Sequence, residues 1–404
     1  MDSLHQQAGG RQAGDRRWLP DRQACADALL AWIAQRIAFA LLFLISAAVF
    51  GTPGHGAGAS LSRSVSDSPW LNWWDSGHFI DIAVHGYRTP DQTVFYPLYP
   101  LAERVLGRLD GGNYLLAGFI ISNLACLLAM LAFRMLARVD LSLSSARWAL
   151  GFFTFMPTAL YLAITYSESL FLMFAISALF AIRRSSWLPA GLLTALAALT
   201  RPVGLLLLIP LAMASIAALR KRPPDLATVA SWALAALLPL LAVGGFVADM
   251  GLRFHSWRIP IEAERLYYGR YLDLPWVGVS QALSVMVGQR QSPGARINAA
   301  YDLAISVATG AATAVAASVR QLPTSYAAYS LAGFLALLML PMHGYPIGED
   351  LNGLPRFLML LFPIWLGFAA WSEHHLWRRL LVIAGCGLGF TTSVMFFGHA
   401  PILM

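Results

Sequence analysis

The sequence predicts an all-α polytopic membrane protein, and three observations carry that prediction. The 404-residue chain is 58% hydrophobic and only 12% charged, which is about half the charged share of an ordinary soluble domain. Apolar runs recur along it, and a membrane-spanning helix needs roughly 20 apolar residues. Two long connections between these runs are rich in Trp and Tyr, which favour the membrane–water interface.

Roughly eleven apolar runs are long enough to be spans. They lie near residues 30–50, 114–134, 148–164, 168–182, 187–200, 203–219, 228–249, 299–318, 324–341, 355–371 and 379–397. Arg36 falls inside the first run, where we expect its charged end to reach the interface. The polar N-terminus is long and includes Asp15, Asp21 and Asp27, unlike a cleavable signal peptide. We therefore predict a cytoplasmic segment at 1–29 and a transmembrane domain at 30–404.

The distribution of basic residues predicts the orientation of the spans. With the N-terminus inside, 16 of the 28 Lys and Arg residues lie in cytoplasmic segments, as the positive-inside rule requires. The net charge of +7 therefore reports orientation, and we expect no nucleic-acid partner. Cys25, Cys126 and Cys386 are odd in number and far apart, which argues against a disulfide framework or a thiolate metal site. The long connections 51–113 and 250–298 fall on the outer face, where we expect the function.

The first outer connection contains the sequence WLNWWDSGHFIDIAVHGYRTPDQTVFYPLYPL. Helical spacing over 75–85 puts Phe79 and Ile82 on an apolar strip and Asp75 and His78 on a neighbouring polar face. This pattern predicts an interfacial helix anchored by Trp70, Trp73 and Trp74. Asp75 is either a general base or the N-cap of that helix. For His78 and His85 a structural role is favoured over metal ligation, because no third ligand is evident.

The segment FYPLYP follows, and its prolines predict a second, broken interfacial element, because regular helix cannot pass through Pro97 and Pro100. Tyr96 in this segment is assigned to substrate binding.

Four further polar groups are predicted on the same outer face. Glu168 starts a span, where it is either part of the site or half of a capping box with Thr165. Arg201 lies between two spans, at a depth where an ionisable group is costly and faces an internal polar cavity. Arg356 lies at a helix start, which implies an anionic partner because the helix dipole disfavours a cation there. Arg258 belongs to the second outer connection, where the alternative is an ordinary interfacial belt.

A carboxylate and several arginines at the membrane surface suit a lipid-phosphate substrate, because the guanidinium fork matches phosphate oxygens. The motif WDSGHFIDIAVHGY followed by FYPLYPL resembles the first-loop signature of the PIG-V-type mannosyltransferases, the GPI mannosyltransferase 2 family and its bacterial relatives. FMPTALYLAITYSESLF, LTRPVG and GLPRFLMLLFP continue the resemblance in order, from about residue 70 to about residue 370. The resemblance implies a GT-C fold with about eleven transmembrane helices and a polyprenyl- or dolichyl-phosphate mannose donor. It also implies inverting transfer outside the cytoplasm, with Asp75 as the catalytic base.

From these observations we predict an inverting glycosyltransferase of the plasma membrane whose active site faces the extracytoplasmic side. It would move mannose from polyprenyl-phosphate-mannose to a lipid or glycan acceptor. The predicted substrate-binding residues are His78, Tyr96, Glu168, Arg201, Arg258 and Arg356. No cofactor is required, because arginines supply the positive charge, although a divalent cation bridging the phosphate to Asp75 or Glu168 stays open. The alternatives are another polyprenyl-phosphate sugar, such as glucose or arabinose, a lipid-phosphate transporter or flippase, and a non-catalytic scaffold.

Overall fold

A computed structural model describes residues 19–50, 75–221, 223–288, 291–343, 351 and 354–396. The Gly/Ser-rich tether of the first outer connection and Trp70, Trp73 and Trp74 lie outside the described residues. Within them the chain is helical. The helices are α1 (Arg22–Phe50), α2 (Asp75–His85), α3 (Leu98–Leu109), α4 (Tyr114–Asp140), α5 (Leu143–Thr154), α6 (Glu168–Arg183), α7 (Trp187–Thr200), α8 (Leu208–Lys221), α9 (Leu226–Phe254), α10 (Ile259–Tyr268), α11 (Val277–Val287), α12 (Pro293–Ser318), α13 (Thr324–Leu338), α14 (Leu354–Leu358), α15 (Pro363–Trp371) and α16 (Leu376–Phe396).

Among the residues that the structure describes, five helical stretches are long and apolar enough to cross a membrane. They are Arg22–Phe50, Tyr114–Asp140, Pro202–Lys221, Leu226–Phe254 and Pro293–Ser318. The stretch Pro202–Lys221 joins a 3₁₀ turn to α8. Shorter apolar helices at Trp187–Thr200, Val277–Val287 and Thr324–Leu338 accompany them. Most helices start and end close to the runs predicted from the sequence, although α1 starts at Arg22, eight residues before the predicted run 30–50. The multi-pass architecture holds in the described part of the chain.

Two of the predicted spans are broken where proline interrupts the helix. The third predicted span is α5 followed by the 3₁₀ turn Ala159–Leu162, and Pro157 lies between them. The tenth is α14 followed by α15, which starts at Pro363. Proline lacks the N–H donor that a helix interior needs, so a helix ends or restarts at these positions. Both breaks adjoin the polar residues described below.

The core lies between α4, α6, α7 and α9, which pack in sequence against one another. Fully buried side chains such as Phe133 and Phe153, whose ring centroids are 4.5 Å apart, fill it. The helices α1 and α9 instead leave many leucines exposed, among them Leu30 (66%) and Leu241 (60%). Large apolar side chains exposed in this number suit a lipid environment.

Arg36 in α1 corrects one expectation. Its guanidinium does not reach toward the interface but turns inward, donating from Nε to Asn123 Oδ1 (2.6 Å) and from Nη2 to the carbonyl oxygen of Leu162 (2.9 Å). It also lies over the Trp32 ring, 5.2 Å from the centroid. Hydrogen-bond partners inside the bundle are available to it, so the charge is satisfied without reaching the interface.

The first outer segment folds as predicted at α2 and differs at α3. Phe79 and Ile82 are 2% and 3% exposed and pack with Phe95 and Tyr99. The helix α3 starts directly after Pro97 and includes Pro100 in its first turn. The expectation that Pro100 breaks the helix is therefore wrong, because the first-turn N–H groups have no partner within the helix and a proline costs nothing there.

Ion pairs mark the membrane face at which α1 begins. Asp27 near that end pairs with Arg134 of α4 (2.9 Å) and with Arg147 of α5 (3.1 Å). The end of α6 pairs with the end of α4 through Arg183 and Asp140. The starts of α2 and α6 therefore lie toward the opposite face, together with the residues of the candidate site.

Candidate active site

Asp75, Glu168, Arg201 and Arg356 meet in one connected group, which we call the acid–arginine cluster. Arg356 Nη2 lies 2.5 Å from Asp75 Oδ2, and Arg356 Nε lies 2.6 Å from Glu168 Oε1. Arg201 Nη2 lies 3.0 Å from the same Glu168 oxygen. Both Glu168 contacts are ionic in range, but neither has the direction of a hydrogen bond, and the side chain is fully buried. Glu168 therefore holds two guanidinium groups side by side.

Helix ends and one cross-link position these side chains. Asp75 is the first residue of α2 and Glu168 the first of α6. The Ser76 hydroxyl donates to the carbonyl oxygen of Thr165 (2.9 Å), which ties the two helix starts together. Arg201 adopts extended backbone (φ −153°, ψ 137°) after α7, as the following Pro202 favours, and its Nε donates to Ser167 Oγ (3.1 Å).

Both sequence-level alternatives for the two acids find no support here. In the described residues the Asp75 carboxylate bonds Arg356, and none of its described hydrogen bonds caps the α2 backbone. The helix α6 starts at Glu168 and follows Ser167, whose side chain makes no cap hydrogen bond. A capping box with Thr165 as the N-cap would need the helix to begin two residues earlier. Both carboxylates face the arginines instead.

A third arginine, Arg270, joins the cluster through a shared aromatic ring. The guanidinium carbons of Arg201, Arg270 and Arg356 lie 5.2, 4.8 and 5.1 Å from the centroid of Phe357. Such cation–π contacts favour cations that have been removed from bulk water. Arg356 also faces Tyr161 and Tyr166, at 5.6 and 4.9 Å. Three guanidinium groups therefore surround one aromatic face.

The backbone around Arg270 is fixed by pairing between two loops. Arg270 forms an isolated bridge with Met342, and the N–H of His343 donates to the carbonyl oxygen of Gly269 (2.8 Å). Gly269 has φ +62°, and a Cβ there would stand 2.1 Å from the His343 carbonyl oxygen. Only glycine fits this close approach without displacing the backbone. The resulting turn at Gly269 directs Arg270 toward Phe357.

Arg356 controls the acidity of Asp75. Burial raises the pKa of the Asp75 carboxyl, but the charge and hydrogen bond of Arg356, with smaller contributions from His78 and Arg201, outweigh it. The pKa therefore lies below its ordinary value of 3.8. Burial raises the pKa of Glu264 in α10, with Arg270 acting against the shift. Glu264 therefore holds its proton more readily than an ordinary glutamate does.

The remaining predicted site residues lie at different distances from this group. His78 stacks on Phe95, with centroids 4.8 Å apart, and its charge acts on Asp75. Tyr96 packs on Phe246 (4.9 Å), and burial together with Glu264 raises its pKa to about 12. Arg258 is exposed at the start of α10, and none of its described contacts joins the cluster.

Reasoning from the sequence missed Arg270 and Glu264. The second outer connection offers several arginines of equal appearance, and periodicity does not rank them. The one available signal is the glycine before Arg270, which indicates a special backbone position. Tyr161 and Tyr166 were also not identified from the sequence, because aromatic residues in an apolar run indicate core packing first.

Asp81 and His85 form a separate, structural group on the same helix. Asp81 Oδ1 contacts His85 Nδ1 (2.8 Å) and Arg88 Nη2 (2.7 Å), and Gln92 Nε2 donates to Asp81 Oδ2 (2.5 Å). This network fastens the end of α2 to the 3₁₀ turn Pro90–Val94. Across the described part of the chain, no three His, Cys, Asp or Glu side chains converge as metal ligands would.

Glu103 of α3 is a buried carboxyl behind the cluster. It is 0% exposed, and in the described residues neither carboxylate oxygen has a hydrogen-bond partner. A Cβ on Gly118 would stand 2.2 Å from Glu103 Oε1, so the glycine provides the space for this carboxyl. Burial raises the pKa of Glu103 well above its ordinary value, which favours the neutral, protonated form.

In the described part of the chain, fold and site together define a polytopic helical membrane protein with a cluster of arginines and carboxylates where helices begin and end. Residues 46–219 match the family model "Mannosyltransferase (PIG-V)", and this range contains Asp75, Glu168 and Arg201. The family resemblance predicted from the sequence is therefore confirmed over residues 46–219, which are similar to the PIG-V-type mannosyltransferases. In the described part of the chain, the helical architecture with its long apolar helices confirms the predicted all-α polytopic membrane protein.

Curated relatives match a shorter stretch. GPI alpha-1,6-mannosyltransferase 2 of Mus musculus is 35% identical over 153 residues, which is 33% of this chain and 29% of the mouse protein. The Rattus norvegicus protein is also 35% identical over 153 residues, covering 33% of this chain and 30% of its own length. The match thus spans less than a third of the length of either relative.

Solved structures show a distant likeness over most of the chain. The archaeal oligosaccharyltransferase AglB from Archaeoglobus fulgidus, in complex with an inhibitory peptide and a dolichol-phosphate, has a TM-score of 0.43 at 11% identity, covering 91% of this chain and 56% of that one. ArnT from Cupriavidus metallidurans in the apo state has a TM-score of 0.38 at 15% identity, covering 92% and 77%.

Proposed function

We propose that this protein is an inverting glycosyltransferase that moves mannose from polyprenyl-phosphate-mannose to a lipid or glycan acceptor on the extracytoplasmic face of the plasma membrane. The observation that carries the proposal is the contact of Asp75 with Arg356 beside Glu168 and Arg201. The PIG-V family match over residues 46–219 supports the sugar and the reaction class.

Arg201, Arg270 and Arg356 would bind the donor phosphate. A guanidinium group offers two parallel N–H donors to phosphate oxygens, and such charge-assisted bonds are roughly twice as strong as neutral ones. The three groups already surround one ring, so little side-chain freedom is lost when the phosphate binds. Glu168 orders two of them and would act as a positioning residue.

Asp75 would be the catalytic base. In the structure its carboxylate is engaged by Arg356, whose influence lowers the Asp75 pKa and so weakens it as a base. A donor phosphate would compete for the same guanidinium group. Once Arg356 turns to the phosphate, Asp75 loses its strongest stabilising partner and its pKa rises toward the value for an efficient base.

The transfer step then follows. The acceptor hydroxyl attacks the anomeric carbon of the donor from the face opposite the phosphate, and its proton passes to Asp75. The bond from the anomeric carbon to the phosphate oxygen breaks, and the arginines stabilise the charge that develops on the leaving phosphate. Because this leaving group is a stable anion, one carboxylate suffices, in contrast with the two that glycosidases use.

The scheme needs no metal ion, and a divalent cation bridging the phosphate to Asp75 or Glu168 is the competing arrangement. Transfer measured after exhaustive chelation, and again with added Mg²⁺ or Mn²⁺, separates the two. Unchanged activity after chelation supports the arginine-only site, whereas loss and recovery with the metal supports the bridge.

The deciding experiment incubates purified full-length protein with polyprenyl-phosphate-[¹⁴C]mannose and a membrane lipid extract, and identifies the labelled product. Parallel reactions with the glucose and arabinose donors test the sugar. Transfer of label from mannose donor alone supports the proposal. Movement of the intact donor between leaflets without cleavage would instead assign the protein to lipid transport.

A further inference from the structure

A cavity of about 420 Å³ opens where the turn between α12 and α13 meets the turn between α15 and α16. Its polar and aromatic lining consists of Arg320, Gln321, Trp371, His374, His375 and Arg378. None of these residues belongs to the acid–arginine cluster, and the proposed transfer reaction makes no use of them.

The cavity and the cluster lie at opposite ends of α12. Near one end, Tyr301 is close enough to Tyr161, beside Arg356, for the two to interact electrostatically. Ser318, the last residue of α12, lines the cavity. At 1.5 Å per residue the helix between them is roughly 26 Å long, which is close to the hydrocarbon thickness of a bilayer. The cavity therefore opens at headgroup level on the other membrane face.

Arg378 is fixed in this cavity before any ligand arrives. Its Nη1 donates to the carbonyl oxygen of Trp371 (3.1 Å), and its guanidinium carbon lies 4.9 and 5.3 Å from the Trp371 and Trp377 centroids. Among the described residues its buried Nε has no hydrogen-bond partner. Arg320 is exposed, and no described contact engages its guanidinium group. The cavity thus offers one ordered cation and one available cation.

The acidic residue of this turn does not neutralise them. The Glu373 carboxylate accepts a hydrogen bond from the Ser142 hydroxyl (2.7 Å). It is not among the residues that line the cavity. A lining with two arginines, two histidines and no carboxylate attracts an anion. For the quaternary ammonium group of a choline headgroup, the same lining offers only the tryptophan rings.

An apolar surface continues from the cavity along α16. Trp377 is 60% exposed, and the leucines Leu380 and Leu381 that follow are 54% and 58% exposed. Tryptophan at this depth is typical of the membrane interface. The surface would accommodate an acyl chain, which a free phosphate ion does not have.

We propose that this cavity binds the phosphodiester headgroup of an anionic membrane lipid. Arg320 and Arg378 hold the phosphate oxygens, and the exposed face of α16 receives the acyl chains. Basic pockets between transmembrane helices on one side of the bilayer recognise anionic headgroups in this way. The site would couple the stability of the turns that join α12–α13 and α15–α16 to the lipid composition of that leaflet.

The test is native mass spectrometry of the purified full-length protein titrated with phosphatidylglycerol or with phosphatidylcholine of the same acyl chains. Wild type is expected to retain phosphatidylglycerol preferentially. Arg320→Gln removes one surface cation, worth about 1 kcal/mol toward anionic lipid, so the apparent affinity should fall about fivefold. Arg220→Gln is the matched control, because Arg220 is an exposed basic residue at the end of α8 on the same predicted face and lies outside the cavity.

Loss of the phosphatidylglycerol preference in Arg320→Gln alone supports the site. If Arg320→Gln and Arg220→Gln lost the phosphatidylglycerol preference equally, the preference would come from a general attraction of the basic face and not from the cavity. If wild type retained phosphatidylglycerol and phosphatidylcholine equally, the proposed lipid site would be overturned. A further measurement adds excess inorganic phosphate or glycerol phosphate as a competitor of the bound lipid. Displacement of the lipid by millimolar inorganic phosphate would assign the cavity to a soluble phosphate species and overturn the lipid proposal.

Discussion

Asp75→Asn is the substitution on which the proposed chemistry depends most directly. Asparagine keeps the shape of the side chain, and its carbonyl oxygen can still accept from Arg356 Nη2, which lies 2.5 Å from the Asp75 oxygen. It cannot accept the proton of the acceptor hydroxyl. Removing a general base costs about 10²- to 10⁴-fold in rate, which corresponds to about 3–5 kcal/mol in the activation free energy.

We expect Asp75→Asn to lower the free energy of unfolding only moderately. Removing one partner of a buried ion pair costs about 3–5 kcal/mol when it leaves the other charge uncompensated. Here Arg356 keeps Glu168 at 2.6 Å, and the Asp75 side chain is 22% exposed. We therefore expect a loss below that range and a protein that still folds and inserts. Because the folded-state pKa of Asp75 is lowered, the contribution of the ionised pair is fully present above about pH 4 and declines only as the pH falls through the folded-state value.

The assay is the initial rate of mannose transfer from labelled donor, measured beside thermal unfolding in the same detergent at pH 5 and pH 7. Asp91→Asn is the matched control, because it removes the same charge from the same outer segment and Asp91 makes no described side-chain contact. Wild-type transfer rates in Asp75→Asn would refute the catalytic assignment. A rate loss that merely follows a loss of folded protein would leave Asp75 with a structural role only.

Three further outcomes are expected. Arg270→Gln should raise the donor KM about tenfold, because it removes one charged hydrogen bond of about 1.5 kcal/mol. Arg258→Gln should change the donor KM less than twofold. A larger rise in KM for Arg258→Gln than for Arg270→Gln would instead assign Arg258 to the site. Arg356→Lys keeps the charge but loses the fork, so kcat/KM should fall at least about tenfold, with only a small shift in thermal unfolding. Glu103→Gln should raise the unfolding temperature at pH 7, because burial raises the folded-state pKa of Glu103 and the folded protein loses stability as the pH rises through that window. The gain should shrink as the pH falls toward the ordinary value of 4.5, and a gain independent of pH would contradict the assignment.

Much of the fold could be predicted from hydropathy alone, because lipid selects long apolar runs and proline interrupts them. The predicted runs at 187–200 and 324–341 correspond to α7 and α13. What hydropathy could not predict is the direction of a polar side chain inside a span. Arg36 illustrates this, since its inward course depends on Asn123 and on a carbonyl group freed near a break at Pro157.

The members of the site could be predicted in part, but their contacts could not. Topology placed Asp75 and Arg356 on one membrane face, although they are 281 residues apart in the chain. Their pairing, and the presence of Glu168 between two arginines, follow from how α2, α6 and α14 start beside one another. The choice between Arg258 and Arg270 depends on one glycine and one loop pairing, which no periodicity in the sequence expresses.

The position of the cluster follows from a constraint of the membrane itself. Irregular backbone is tolerated at this depth only where it is enclosed by protein or lines a polar cavity. The cluster residues stand at such places: Glu168 and Asp75 begin helices, Arg201 follows α7 before a proline, and Arg356 lies in the five-residue helix α14. Here Arg270 brings a third guanidinium group to Phe357, while the third carboxyl, Glu264, has its pKa raised by burial. Under the proposed function, the three guanidinium groups that meet at Phe357 would receive the phosphate of a lipid-borne donor at this level.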